Sequence, residues 1–222
     1  LDSSEVFQMV SAALEIAAGE MKVIVGNGGI ATDKVIATTK SFKDYPIDGF
    51  LTCTPYYVKP TQAGMIDHFK AVADNAHRPI CLYNVPGRTS KNMEPKTTLR
   101  LARDFENIVA VKEAGNNVAQ YLELIKNKPE EFMVISGDDD LALNVTLSGG
   151  SGVISVIGQA FPKEFSKMIQ LGLEGKSEEA YKLHYKLMEI TSLIFEENNP
   201  AGIKAVLQAL NLCDDTVRLP LV

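Results

Sequence analysis

Lys112 stands where an ammonium group is costly. It ends the run I-V-A-V-K at 108–112, small and branched apolar residues of the kind that fill a buried strand. Period-two alternation places Lys112 on one face with Ala110 and Ile108, and Val109 and Val111 on the other. Facing inward, its ammonium is desolvated, which lowers its pKa and leaves an amine able to attack a carbonyl and form a Schiff base. The alternative is a lysine reaching water from a strand end, or one paired with Glu113. Tyr83 closes the preceding strand-like run, and if the two strands are neighbours its phenol lies one strand spacing, about 4.8 Å, from Lys112. A phenol beside an amine can move protons. Arg88 follows Pro86 and Gly87 in a turn, where its planar fork suits a substrate carboxylate better than a lysine would.

Branched-apolar runs at 21–28, 49–55, 79–86, 108–114, 132–139 and 151–158 read as six strands. Segments with apolar spacing near 3.6 separate them, such as 61–76 and 94–105, opened by Thr, Asp or Pro. Such spacing requires crossover helices, hence a parallel, helix-covered sheet. Polar or reactive residues close several strands: Thr54 with Tyr56 and Tyr57, Tyr83 with Arg88, Lys112 with Glu113, Ser136 with Asp138. Groups drawn from many strands favour a closed (β/α) barrel over an open sheet, which gathers them at one switch point. The barrel region runs over 1–175, and 176–222 is a C-terminal helical region. An eight-stranded TIM barrel would lack its first two strands here, because the chain opens on a capped helix and supplies six.

Composition narrows the function classes. The chain has 222 residues, 45% of them hydrophobic, enough for a sizeable core. Its net charge is −6, with no basic block or aromatic stripe for nucleic acid. No segment approaches the roughly 18 continuous apolar residues of a membrane span. Cys53, Cys81 and Cys213 are odd in number and lack C-x-x-C spacing, which fits a reducing, cytoplasmic setting.

Five segments in order, T-P-Y-Y-V-K-P-T-Q (54–62), Y-N-V-P-G-R-T-S (83–90), V-K-E-A (111–114), S-G-D-D (136–139) and G-V-I-S-V-I-G (152–158), closely resemble the pyruvate-dependent class I aldolase family, in its dihydrodipicolinate synthase branch. The resemblance implies a TIM barrel and condensation of pyruvate with L-aspartate 4-semialdehyde, a step of lysine and diaminopimelate biosynthesis. It implies that Lys112 forms the imine and Tyr83 relays protons. Tyr57 would reach into a neighbouring subunit's site, so the protein would be a homodimer or homotetramer. Arg88 would bind the semialdehyde carboxylate, and the backbone at Gly137 and Ile154 would line the pyruvate pocket. Neither a metal nor an organic cofactor is implied, since the imine itself is the electron sink. N-acetylneuraminate lyases share the scaffold but typically lack an arginine at the place of Arg88.

The departures carry expectations too. The family's G-T-T-G-E motif, with a threonine that links the two tyrosines, has no counterpart, so the chain reads as partial and weakly active alone. Where part of the family binds inhibitory lysine, Ile30 replaces an asparagine and Lys34 an acidic residue, while Tyr56 is kept. Lys34 would repel an ammonium ligand. The other signals read as structural. G-N-G-G-I-A at 26–31 imitates a dinucleotide loop, but no acidic residue closes the next strand. Asp138, Asp139 and Asp140 read as helix-start acids rather than a cation site. His68, His77 and His184 read as surface residues, and Leu183, Leu187, Ile190 and Ile194 as one helix's packing face.

Overall fold

Asp2 begins the fold by capping α1 (Ser3–Ala17). Its carboxylate accepts from the Glu5 backbone N–H at 2.9 Å, and the Glu5 carboxylate accepts from the Asp2 N–H at 2.8 Å. Such a reciprocal box stabilises a helix end by about 1 kcal/mol. The computed structural model describes residues 1–222. They form two compact units, Leu1–Gly115 with Lys126–Met133, and Asn116–Ile125 with Val134–Val222.

In the first unit, β1 (Ile24–Gly26), α2 (Thr32–Ser41), β2 (Gly49–Cys53), α3 (Gln62–Ala73), β3 (Ile80–Asn84), the single turn α4 (Pro86–Thr89), α5 (Pro95–Asp104) and β4 (Ile108–Glu113) follow in turn. The strands lie side by side in chain order, all parallel, because each connection carries a helix across the sheet. Thr61 caps α3 by accepting from the Gly64 N–H at 3.1 Å, and Pro95 begins α5 where a missing N–H costs nothing.

Register sorts the side chains. Cys53, Tyr83 and Lys112 are register partners across β2, β3 and β4, with Leu51, Cys81 and Ala110 two residues below. Four of these six, Leu51, Cys53, Tyr83 and Lys112, are half-buried. On the opposite face Phe50, Thr52, Ile80, Leu82, Asn84, Val111 and Glu113 are buried, while β4 slips register at its start, Ile80 pairing with Ile108 and Cys81 with Ala110, and leaves Val109 half-buried. Met65, Phe69 and Val72 of α3 and Leu101 of α5 are likewise buried, each burial being worth about 1.5–3 kcal/mol. His68 belongs with them. Only 4% exposed, it meets the Thr32 hydroxyl through Nδ1 at 2.9 Å. The surface position expected for it is therefore wrong, because spacing with Met65, Phe69 and Val72 puts it on the packing side of α3.

After α6 (Val118–Asn127), the second unit carries β5 (Met133–Ser136), α7 (Ala142–Leu147), β6 (Gly152–Val153), α8 (Pro162–Leu173), α9 (Ser177–Glu196) and α10 (Ala201–Ala209). β5 and β6 pair in parallel, Ile135 with Gly152 and Ser136 with Val153. Leu143, Phe165, Met168, Leu187, Ile194 and Ile203 anchor its core, and Leu183 and Ile190 pack against them. The stripe on α9 is thus the packing face its spacing implies.

The sixth strand is shorter than its apolar run. It stops at Val153, and Ile157–Gln159 forms a 3-10 turn. Asp139 explains the break. Its carboxylate accepts from the Val156 and Ile157 N–H groups at 3.0 and 2.9 Å, turning amides away from any ladder. Both units alternate parallel strands with helices, so the fold is α/β. No helix is long and apolar enough to cross a membrane.

Candidate active site

Three parallel strands bring Cys53, Tyr83 and Lys112 into one row, and the Lys112 Nζ lies 4.4 Å from the centre of the Tyr83 ring. A cation over an aromatic face at this range is attracted by about 0.5–2 kcal/mol. The contact also fixes where the amine points. Glu113, the next residue, faces the opposite side of β4 and is 1% exposed. Its carboxylate accepts from Asn84 Nδ2 and from the Gly115 N–H.

Burial pushes the Tyr83 phenol above its ordinary pKa, while the Arg88 guanidinium pulls it down and Cys53 pushes it up. The phenol therefore keeps its proton at neutral pH, ready to donate it. Burial also raises Cys53 and takes the Cys81 thiol up to about 12, against the smaller opposing pull of Lys112. Neither thiol competes with the amine as a nucleophile, since the reactive form is the thiolate.

Arg88, itself exposed, sits on α4, a turn begun by Pro86 and held by Arg88 N–H to Val85 carbonyl at 2.9 Å. Its effect on Tyr83 is electrostatic. Tyr57 does not join the row. Its side chain is 84% exposed and its φ is +66°, a left-handed conformation that costs a residue with a Cβ on the order of 1–3 kcal/mol. Tyr56 and Val58 beside it are exposed as well. Thr54, in the same motif, is fully buried with its hydroxyl unpartnered.

Gly137 and Ile154 belong to the second unit. The Ile154 N–H donates to the Ser136 carbonyl at 2.9 Å, so the two flank one strand pair at the C-terminal end of β5. Ser136 itself bonds the Asp138 backbone through its hydroxyl, and Asp138 Oδ1 accepts from the Leu141 N–H at 3.0 Å. Those polar groups shape the turn. Of the three acids, Asp138 serves the local helix entry, whereas Asp139 caps a segment 18 residues on rather than its own helix.

The glycine loop after β1 is structural as well. Asn27 Oδ1 accepts from the Thr52 hydroxyl at 2.5 Å, and its amide donates to Thr39 Oγ1 at 2.8 Å. A methyl on Gly28 would overlap the Cys53 sulfur. Gly28 is bare to let β2 approach, so no phosphate need be invoked.

The role of Asn84 was not visible in sequence, nor was the direction in which Glu113 bonds. Their signal is the alternation that sends the residues after Tyr83 and Lys112 to the buried face.

A family model described as "Dihydrodipicolinate synthetase family" matches residues 1–222. A 4-hydroxy-tetrahydrodipicolinate synthase of Flavobacterium psychrophilum is 51% identical over 204 residues, 92% of this chain and 70% of that protein. One from Parabacteroides distasonis is 45% identical over 222 residues, 100% of this chain and 75% of that protein. The crystal structure of dihydrodipicolinate synthase from Aquifex aeolicus, 40% identical, superposes with a TM-score of 0.97 over 100% of this chain and 76% of its own.

Proposed function

The chain belongs to the dihydrodipicolinate synthetase family, and we propose that it condenses pyruvate with L-aspartate 4-semialdehyde through an imine on Lys112, giving 4-hydroxy-tetrahydrodipicolinate. The observation that carries this reading is the Lys112 amine poised 4.4 Å over the Tyr83 ring. The amine attacks C2 of pyruvate, and the carbinolamine loses water with the Tyr83 phenol as proton donor. The imine then loses a methyl proton to become an enamine. Its terminal carbon attacks the aldehyde of the second substrate, whose oxygen takes up the proton. The semialdehyde's own amine next attacks the imine carbon, closing the ring and releasing Lys112.

Arg88 holds the semialdehyde carboxylate, with a fork that matches two oxygens at once. The backbone at Gly137 and Ile154 lines the pyruvate pocket. Tyr57, exposed and strained, serves a neighbouring subunit's site, so the working protein is a homodimer or homotetramer. Its parallel strands alternating with helices fit the TIM-barrel class. It acts in the cytoplasm and takes no metal or organic cofactor, because the protonated imine draws off the electrons. Cleavage of N-acetylneuraminate is disfavoured by Arg88, which gives the site a cation for a carboxylate-bearing aldehyde.

The test is pyruvate-dependent consumption of aspartate semialdehyde, with N-acetylmannosamine offered as the competing aldehyde. Turnover of the semialdehyde alone is expected. Turnover of the amino sugar alone would overturn the assignment.

A further inference from the structure

Behind the row, Asn84 and Glu113 are both buried and are register partners one residue beyond Tyr83 and Lys112. Asn84 Nδ2 donates to both Glu113 oxygens, at 3.1 and 2.8 Å, and to Asn92 Oδ1 at 2.8 Å. Its Oδ1 accepts from the Met93 N–H at 2.9 Å. One side chain thus staples both ends of the 85–92 excursion that carries Arg88. Glu113 in turn accepts from the Gly115 N–H at 2.8 Å, and the Ala114 N–H donates to the Asn84 carbonyl at 2.8 Å. Gly115 must be bare there, since a Cβ would stand 2.9 Å from Glu113 Oε1 and 3.7 Å from Pro86, the first residue of α4.

A carboxylate that is 1% exposed is an expensive way to hold a sheet together. What it gains here is a joint between two strand ends and one loop. On the reading of Lys112 and Tyr83 given above, we infer that Asn84 and Glu113 form a positioning pair: together they set the Tyr83–Lys112 row and the α4 loop in a single geometry. Neither touches substrate. They act through the residues they fix.

The bond polarity makes the inference testable. Replacing Glu113 with Gln puts an NH2 group against Asn84 Nδ2. Asn84 cannot turn over without giving up Met93 and Asn92. Exchanging the polarity, in Asn84→Asp with Glu113→Gln, restores a donor facing an acceptor between the two strands and keeps one negative charge, with the Asn92 amide turning its NH2 toward the new carboxylate in place of its Oδ1.

The full chain is incubated with pyruvate and borohydride, and the rate of labelling at Lys112 is read by mass and expressed per folded molecule. Labelling of the unaltered protein tests the Schiff-base reading itself. Given that labelling, Glu113→Gln is expected to slow it about 10- to 100-fold, as a misplacement near 1 Å does, and the double variant to recover most of the loss. Asn92→Ala, which removes the Asn92 contact of the staple and leaves the strand-to-strand bond and Met93 in place, is expected to raise KM for aspartate semialdehyde about tenfold while pyruvate labelling stays within about twofold. Glu113→Gln labelling at the unaltered rate, or Asn92→Ala with an unchanged KM, overturns the inference while leaving the Schiff base intact. No labelling of the unaltered protein overturns the reading beneath it.

Discussion

Replacing Tyr83 with Phe removes one oxygen and leaves the ring, so it separates two contributions. The ring supports the amine at 4.4 Å, an attraction of about 0.5–2 kcal/mol that the variant keeps. What is lost is a proton donor whose burial holds it in the protonated form at neutral pH. Removing such a group costs roughly a hundred- to ten-thousandfold in kcat, or about 2.7–5.5 kcal/mol at about 1.36 kcal/mol per decade. Tyr83 is only half-buried, so loss of its hydroxyl should change folding stability by less than about 1 kcal/mol. Steady-state kinetics with pyruvate and aspartate semialdehyde, beside a thermal melt, measure both. The expectation is a large fall in kcat, KM for pyruvate within about threefold, and a melting point near that of the unaltered protein. Tyr83→Leu, which also removes the ring, should raise KM for pyruvate as well. A Tyr83→Phe enzyme within about threefold of the original kcat would refute the proton-donor role.

Three other outcomes are expected. With the Cys81 thiol at about 12, Cys53 raised by burial and Cys213 exposed, a thiol reagent at neutral pH should modify Cys213 first, Cys53 slowly and Cys81 only on unfolding; rapid labelling of Cys81 in folded protein, followed by peptide mapping, would contradict this. Burial raises the Asp139 carboxyl above its ordinary 3.8, so the folded state binds the extra proton and stability falls as pH climbs from 3.8 through the raised value. Asp139→Asn should flatten that slope in denaturant titrations, and an unchanged slope would assign it elsewhere. With Lys34 where an acidic residue would attract an ammonium group, and Ile30 apolar, submillimolar lysine should leave the condensation rate unaltered; half-inhibition would contradict this.

Local rules made much of the fold legible. Asp2 and Glu5 announce their capping box by spacing alone, and Thr61 and Pro95 mark helix starts because the amides they serve or spare are within one turn. Lys112 and Tyr83 were legible because alternation and strand order are enough to put them side by side. Two features lie beyond the reach of local rules. The cap that Asp139 supplies to Ile157 acts across 18 residues, so nothing near 151–158 warns that β6 will stop. Adjacency suggests Lys112 as a partner for Glu113 but says nothing of the bond that Glu113 accepts from Asn84, 29 residues away. His68 differs, since its spacing with Phe69 and Val72 held the answer and its polarity obscured it. Tyr57 was named through family resemblance, and its positive φ is a property of the folded backbone that the sequence does not display.

The proposed catalysis depends on the Lys112 amine forming a covalent bond to a keto acid. Peptide mapping of the protein after reduction with borohydride in the presence of pyruvate tests this most directly, with Lys112→Arg as the control. The prediction is a reduced pyruvate adduct on Lys112 and none in the arginine variant. An adduct on another lysine, or equal labelling of both proteins, would contradict it.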